Sequence, residues 1–506
     1  MTRAWLSLLT GPVFWSLCGL LSVLSSSFLS PSVLANSVHS GSSPEPIRLT
    51  PQLVVDRVLN LGLQRQVLDA NLVSAELPIF QAKAAYDFRL MAETNYEVNR
   101  GDTMNVIANN EEDKNFSALL GLSKQLGSGT DLRINYRRSS VASLLNPFAQ
   151  NQGFPSTRTL DSFSLELEQD LLKNAFGRDQ RLQVKTAQKS YLRAQKERME
   201  GLEDVVLEAM EHFWHSYVAQ ENLRESVESR DRYSRLVANV RDKARLGFAA
   251  PGELASAQAE LELQQQRVKQ ASLQYLNHVD QLLRLLRLDY HTEVEFQIEE
   301  ILPALPEFSE LSLEEMEGLR SLQVARSQVK EQHQIVNLTQ SSHRPQLSLI
   351  ARITQTGAEE EPTQALSKML DGSRPIYFIG LKLTHPLDSS LRRGDILAAR
   401  AELQRREVLL EKVRDSVNNQ LRQAKREINA LYLIAESSLK SVELWKQAAR
   451  EIDNSYRQGR TDISEVVRIY NSLQAAETQR TRAIGDYHIA LNRLAALRDE
   501  LVGVSP

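Results

Sequence analysis

The sequence offers one pattern of residues that could ligate a metal ion, at His212 and His215. These histidines lie three positions apart with Glu208 and Glu211 close by, so on a helix the four side chains could approach one another. A zinc site needs three or four ligands that converge in space, and no further motif in the chain completes such a set. We therefore predict neither a metal site nor a cofactor.

Motifs for catalysis or for nucleic-acid binding are not found. The chain has no glycine-rich phosphate-binding loop, no nucleophile elbow and no zinc-protease motif. Cys18 is the only cysteine, so no disulfide framework or cysteine metal site is expected. The net charge of -4 is too small to indicate a nucleic-acid partner. These features predict a protein that is not an enzyme.

The first 35 residues have the layout of a secretory signal peptide. An apolar stretch from Ala4 to Leu24 follows Arg3, and Ala35 supplies the small residue of a cleavage site. A permanent membrane anchor is the alternative, but Gly11-Pro12 interrupts the apolar stretch and makes it a poor span. We predict that residues 1–35 are removed on export.

Composition predicts long helices in the remainder. Charged residues make up 25% of the chain and aromatic residues only 6%. Ala, Leu, Gln, Glu and Arg dominate long tracts, which is typical of extended or coiled helices. After the predicted signal peptide, no stretch of about 18 apolar residues occurs, so no membrane-spanning helix is predicted.

A first helical hairpin is predicted over residues 170–290. From Arg178 to Leu246 there is no proline, and apolar residues recur at spacings of three and four. Such a helix is roughly 100 Å long at about 1.5 Å per residue. Pro251 breaks the pattern in the tip segment 246–253, and heptad spacing resumes from Leu254 to Leu285.

A second hairpin repeats this plan over residues 387–506, with its tip near 456–465. Its first helix is predicted from Arg392 to Gln458, and its second begins at Ile463 and has clean heptads that only Arg480 interrupts. The motif Gly-x5-Glu-Leu/Val occurs at both Gly247 and Gly459, 212 residues apart. The fold is therefore predicted to be a duplicated unit.

Strands are predicted before each hairpin, in residues 86–169 and 346–386, because apolar and polar residues alternate there. The first region also contains an additional hairpin, Phe116 to Tyr136. Gly101 to Asp113 and Gly357 to Arg374 are predicted to be surface loops. Residues 36–85 are predicted to form a helical periplasmic segment, and residues 291–345 a linker and a second equatorial-type helix.

The predicted fold class is mainly α with a membrane β-barrel: a duplicated unit of amphipathic strands plus a long antiparallel coiled-coil hairpin, assembled as a trimeric α/β tunnel. An open sheet edge is costly in hydrocarbon, and four core strands cannot close a barrel alone. Three chains would supply twelve strands and a sheath of twelve helices. The additional Phe116 to Tyr136 hairpin is expected to lie outside this count.

With this pattern of elements the chain resembles the TolC family of outer-membrane efflux proteins over nearly its whole mature length. The sharpest local matches are ARLGFAAPGELASAQAELE and SYRQGRTDISEVVRIYNSLQAAE, which look like the two hairpin tips of that family. The segment LTHPLDSSLRRGD matches the end of the second strand region.

The resemblance implies a homotrimeric duct with its strands in outer-membrane lipid and its helices in the periplasm. The helical end would bind a periplasmic adaptor, also called a membrane fusion protein, and an inner-membrane pump. The implied function is passive conduction of an efflux or type I secretion substrate. A periplasmic coiled-coil adaptor and a structural spacer without a pore are the alternatives.

The resemblance also implies roles for residues at the two tips. Candidates for adaptor docking are Leu246, Gly247, Gly252, Gln458, Gly459 and Arg460. Candidates for the aperture and its gating are Glu253, Tyr456, Glu465 and Arg468, where Arg468 replaces an acidic residue of some family members. The glycines could equally be ordinary helix C-caps, the two glutamates could favour helix N-termini, and Tyr456 could serve packing alone.

Overall fold

The computed structural model describes residues 47–100, 112–145, 151, 155–298, 300–307, 313–385, 387 and 390–502. The predicted signal peptide, the start of the 36–85 segment and most of the predicted loop from Gly101 to Asp113 lie outside these residues.

Ten helices of the described residues are numbered here in chain order. They are α1 Pro51–Leu61, α2 Leu63–Ser74, α3 Leu77–Lys83, α4 Arg178–Arg245, α5 Glu253–Leu285, α6 Leu313–Gly318, α7 Arg320–Ser342, α8 Pro362–Leu370, α9 Ser390–Arg457 and α10 Ile463–Leu497. The predicted duplication is confirmed, since α4 and α9 both contain 68 residues and each is followed by a shorter antiparallel partner. None of the described helices is long and apolar enough to cross a membrane.

Helix α4 begins at a side-chain cap. The Asn174 carbonyl oxygen Oδ1 accepts hydrogen bonds of 3.1 Å from the backbone N–H groups of both Asp179 and Gln180. The Asp179 carboxylate in turn accepts from the Asn174 N–H at 3.2 Å. This reciprocal arrangement satisfies donors that a helix start leaves free and fixes where the long helix begins.

The helices pack around apolar cores along α4. Near the middle of α4, Phe213 and Trp214 pack against buried leucines of α5 and residues of α1. In the half nearer the tips, Tyr233 and Val240 pack against α9 and α10. The interruption of the α10 heptads at Arg480 is explained by a buried partner, because Arg480 donates to Glu225 of α4 at 2.7 Å.

Eight strands of the described residues form two sheets. The strands are β1 Ile47–Leu49, β2 Arg89–Asn99, β3 Glu112–Gln125, β4 Thr130–Leu144, β5 Thr157–Asp170, β6 Val294–Phe296, β7 Gln346–Glu359 and β8 Ile376–Thr384. β1 and β6 pair in parallel beside the helices, whereas the other six form one antiparallel sheet in the order β2-β3-β4-β5-β7-β8.

The additional hairpin is part of this sheet, so the expectation that it lies outside the core strands was wrong. β3 and β4 are inserted between β2 and β5, and β4 pairs with β5 from Thr130 to Ala142. The physical reason is that both hairpin strands alternate in the same way as their neighbours and can continue the ladder on both sides.

The segment from Gly357 to Arg374 is not the loop that its composition predicts. β7 continues to Glu359, and α8 then folds back onto the sheet with Ala365 and Met369 buried. A side chain on Gly357 would place its Cβ 2.1 Å from the Ala365 carbonyl oxygen, so glycine permits this close approach.

Candidate functional site at the hairpin tips

The first tip ends α4 with a left-handed glycine. Gly247 has φ of +74°, its N–H donates to the Ala244 carbonyl at 3.1 Å, and the Phe248 N–H donates to the Lys243 carbonyl at 2.9 Å. This is the Schellman pattern, which satisfies the last carbonyls of a helix and reverses the chain. The side chains of Leu246 and Phe248 are 70% and 80% exposed, so the tip presents two large apolar groups to solvent.

The second tip has the same geometry. Gly459 has φ of +70°, its N–H donates to the Tyr456 carbonyl at 3.0 Å, and the Arg460 N–H donates to the Ser455 carbonyl at 2.9 Å. Gln458 and Arg460 are exposed. The predicted tip glycines therefore act as C-caps of both long helices, whether or not they also contact a partner.

The two helices that leave the tips begin differently. Gly252, with φ of +84°, precedes α5, and the Glu253 carboxylate accepts from the Ala250 N–H at 2.9 Å through Oε2. At the start of α10, Asp462 accepts from the Glu465 N–H at 3.1 Å. Glu253 thus uses one oxygen to bind the tip segment ahead of its own helix and keeps the other available.

That second oxygen joins the two hairpins. The Tyr456 hydroxyl of α9 donates to Glu253 Oε1 at 2.7 Å. Lys243 Nζ of α4 donates to the Tyr456 carbonyl at 2.6 Å and lies 3.5 Å from the centre of its ring. We call Lys243, Glu253 and Tyr456 the tip cluster; it combines a charge-assisted hydrogen bond with a cation–π contact.

Burial holds the side chain of Tyr456 in place within this cluster. Only 2% of its surface is exposed, and it packs in the apolar core that contains Val240 and Val466. Burial raises its pKa above the ordinary value, and the hydrogen bond to Glu253 raises the pKa further. The hydroxyl therefore stays protonated, and remains a donor, throughout the neutral range.

Glu465 and Arg468 do not join the tip cluster. Arg468 Nε donates to Glu465 at 2.9 Å within the first turns of α10, and this hydrogen bond lowers the pKa of Glu465. Arg468 is exposed. The charge of the Glu465 carboxylate is therefore neutralised by Arg468 of the same helix. This agrees with the alternative that the glutamate serves the helix N-terminus. It also reduces the negative charge that the second tip could present at an aperture.

Two tip residues were missed from the sequence. Lys243 lies four positions before Gly247, where a cation near a helix C-terminus is common, so its contact with the other hairpin had no local signal. Phe248 had a signal that could have been used, since an aromatic residue directly after a C-cap glycine in a polar tip is a candidate for exposure.

The histidine pattern does not assemble into a metal site in the described part of the chain. Glu211 accepts a hydrogen bond from Arg493 at 2.7 Å, and the His215 ring stacks against that of His278 at 5.8 Å. No group of three or more His, Cys, Asp or Glu side chains that could hold a metal ion occurs among the described residues.

Similarity to known proteins is found in structure and not in sequence. No protein-family profile and no curated protein sequence matches the chain. Among solved structures, VceC of Vibrio cholerae is 14% identical and matches with a TM-score of 0.65 over 88% of this chain and 95% of its own. CmeC of Campylobacter jejuni is 13% identical, with a TM-score of 0.67 over 94% and 96%. MtrE of Neisseria gonorrhoeae in its open state is 14% identical, with a TM-score of 0.62 over 94% and 98%.

These three proteins are an outer-membrane protein and two outer-membrane channels, and they are similar to this chain over almost their full lengths. The chain therefore has the fold of outer-membrane channels, as its resemblance to the TolC family predicts.

Proposed function

We propose that the chain is one protomer of a passive outer-membrane duct in an efflux or type I secretion system. Three copies would form the tube, with the sheet in the outer membrane and the helical hairpins in the periplasm. A periplasmic adaptor would bind the tips, and an inner-membrane pump would supply the substrate and the energy.

The observation that carries this proposal is the position of an amphipathic sheet at the root of two long helical hairpins. One face of the sheet bears Leu90, Leu120, Phe163, Ile379 and Leu381, whose side chains are all exposed in the single chain. A large exposed apolar surface marks a contact with membrane or protein. The strands contain 9 to 15 residues, and about nine to eleven are needed to cross a bilayer.

The opposite face is polar and suits water. Arg133 of β4 donates to Glu166 and Glu168 of β5 at 2.8 and 3.1 Å, and Arg352 Nε of β7 donates to Glu166 at 2.6 Å. Apolar residues on one face and ion pairs on the other are the pattern of a membrane strand that lines an aqueous channel.

A periplasmic adaptor is the second candidate. Such a protein would normally have a single hairpin between the halves of a small β domain, whereas this chain has two hairpins and a six-stranded sheet. A spacer without a pore would not require the exposed apolar face. The duct therefore accounts for more of the features than either alternative.

The test uses two neighbouring residues of β7 that face opposite sides of the sheet, Ile353 and Thr354. Arginine at the midplane of a lipid-facing position costs about 2 to 4 kcal/mol, and little at a channel-facing one. We expect Ile353→Arg to abolish heat-modifiable trimers in outer-membrane extracts and pores in planar bilayers, and Thr354→Arg to retain both. A protein that stays soluble without detergent and forms no pores would contradict the proposal.

A further inference from the structure

We propose that three copies of this chain close an eighteen-stranded barrel, so that the outlet is wider than a ring of four strands per chain would make it. This inference rests on the proposed function, because it assumes that the sheet enters the membrane as part of a trimer. The occupant of each free sheet edge is a second copy of the chain.

The β3-β4 hairpin continues the two faces of the sheet over residues 116–122 of β3 and 132–136 of β4; beyond them, Arg138 on the apolar side pairs with Asp161 of β5 at 2.8 Å. One row of directly opposite residues crosses all six strands on the apolar face: Leu90, Leu122, Ile134, Leu165, Ile353 and Tyr377. The neighbouring row on the other face is Arg89, Ser123, Arg133, Glu166, Arg352 and Phe378. A hairpin folded away from the membrane would have no need to keep this alternation, whereas two additional membrane strands would require it.

Ion pairs hold the inserted strands to the others. Arg133 belongs to the inserted strand β4, and the two nearest of its three carboxylate partners, Glu166 and Glu168, belong to β5. Arg352 of β7 shares Glu166 from the opposite side. The charges of this network alternate across β4, β5 and β7, so removing the hairpin would leave two acidic residues with fewer partners.

The turn of the hairpin is fixed to the root of α4. A Cβ on Gly129 would lie 2.3 Å from the Gly177 nitrogen, and one on Gly177 would lie 2.4 Å from the Gly127 carbonyl oxygen. Arg181 of α4 donates to that same carbonyl. The turn therefore lies at the end of the sheet from which the helices emerge, at the level where the ladder of β5 also ends.

The sheet edges permit closure by further copies. Six strands that are all antiparallel place β2 and β8 in opposite directions, so β8 of one copy can pair antiparallel with β2 of the next. Every residue of β2 is exposed in the single chain, and an edge strand in hydrocarbon must find a partner. Barrel diameter increases roughly linearly with strand number, and barrels of about 16 to 18 strands enclose aqueous channels. Eighteen strands would widen the outlet by about half relative to twelve.

The experiment uses single cysteines in the otherwise unsubstituted chain, because Cys18, the only natural cysteine, lies in the predicted signal peptide. Leu119 and Leu120 are neighbours on β3 that face opposite sides, so Leu119→Cys and Leu120→Cys are matched substitutions. We expect a membrane-impermeant thiol reagent to modify Leu119→Cys in native outer membranes and to leave Leu120→Cys unmodified, because lipid covers it. Modification of both would place the hairpin in water and overturn the inference.

The corresponding pair on β7, Thr354→Cys and Ile353→Cys, separates this result from the proposed function. If thiol modification alternates between neighbouring residues on β7 but not on β3, the proposed duct is supported and the eighteen-stranded barrel is contradicted. If thiol modification does not alternate on β7, the proposed function itself is contradicted. Electron microscopy of the purified trimer gives an independent count, for which eighteen strands support the inference and twelve overturn it.

Discussion

The hydroxyl of Tyr456 donates a 2.7 Å hydrogen bond to the carboxylate of Glu253, which lies 203 positions earlier in the chain. These residues belong to different hairpins and to opposite helix ends, since Tyr456 precedes one tip glycine and Glu253 follows the other. A movement that separates the two hairpin tips must break this bond. The bond is therefore a candidate for the contact that holds the periplasmic end closed.

Substitution of Tyr456 by phenylalanine tests that role. The ring still fits its buried position, while the hydrogen bond to Glu253 is lost. At about 0.5 to 1.5 kcal/mol per bond and three copies, the closed state would lose roughly 1.5 to 4.5 kcal/mol. We expect Tyr456→Phe to increase conductance in planar bilayers without loss of trimers.

The control for this experiment is Glu465→Gln, which removes a carboxylate from the same tip but from a local pair with Arg468. We expect its conductance to equal that of the unsubstituted protein. Increased conductance in Glu465→Gln alone would instead place the aperture at α10 and leave Tyr456 a packing residue.

A second prediction concerns the exposed apolar residue of the first tip. Phe248→Ser removes a side chain that makes no contribution to a buried core, so the free energy of unfolding should change by no more than about 0.5 kcal/mol. Because exposed aromatic side chains are common anchors of protein interfaces, crosslinking to the adaptor should decrease several-fold. Leu192→Ser is the matched control, since Leu192 is likewise an exposed apolar residue but lies within α4, far from the tip. Equal crosslinking in both variants would remove Phe248 from the docking surface.

A third prediction concerns the tip glycines. Proline fixes φ near -65°, whereas Gly247 has φ of +74°, so Gly247→Pro must distort the chain reversal. We expect trimers to form, because the tip lies about 100 Å from the sheet, but export and adaptor crosslinking to be impaired. Gly247→Asn is the control, because asparagine tolerates the left-handed conformation and no atom lies within 4 Å of the added Cβ. Normal export by Gly247→Pro would show that the reversal need not be preserved for docking.

A fourth prediction concerns the buried ion pair between α4 and α10. Glu225 is 3% exposed and accepts from Arg480 and Thr481, each at 2.7 Å. Arg480→Leu leaves this carboxylate buried without its cation, which costs about 3 to 5 kcal/mol. The double variant Glu225→Leu with Arg480→Leu should recover much of the lost thermal stability.

The destabilisation caused by Arg480→Leu should also depend on pH. Burial raises the folded-state pKa of Glu225 above its unfolded value despite the bonds from Thr481 and Arg480. The contribution of a carboxyl with a raised pKa is complete below the unfolded pKa and decreases as the pH rises through the folded pKa. Arg480→Leu should therefore be destabilised less at pH 5 than at pH 7.5, and a deficit that is the same at both values would contradict this explanation.

Local sequence patterns were sufficient for the long helices and their duplication, but not for α8, whose segment was predicted to be a loop. The heptads and the two glycines fix where α4 and α9 end, because a left-handed C-cap is a local requirement. Alternation likewise identified strands of the six-stranded sheet, but not the short β1 and β6. Strand order was not predictable in this way, since it depends on which ladders pair across long loops, and the place of β3 and β4 became visible only with the register.

The tip cluster illustrates the same limit. Tyr456 and Glu253 were identified as candidates one at a time, from their distance to a glycine. Their contact, and the part played by Lys243, arises where two hairpins meet, and no spacing within either hairpin specifies it. Arg480 is a related case, because it interrupts a heptad for a reason that lies on another helix.

The close contact between Gly129 and Gly177 fixes the first turn of α4 to the end of the sheet. A helix that is fixed at one end does not pivot there. It bends along its length, and its free end moves most. A change of direction of about 5° spread along roughly 100 Å of helix displaces the far end by about 4 Å. A displacement of this size at the tip is accompanied by almost none at the strands, so the tip end of α4 can move without disturbing the sheet.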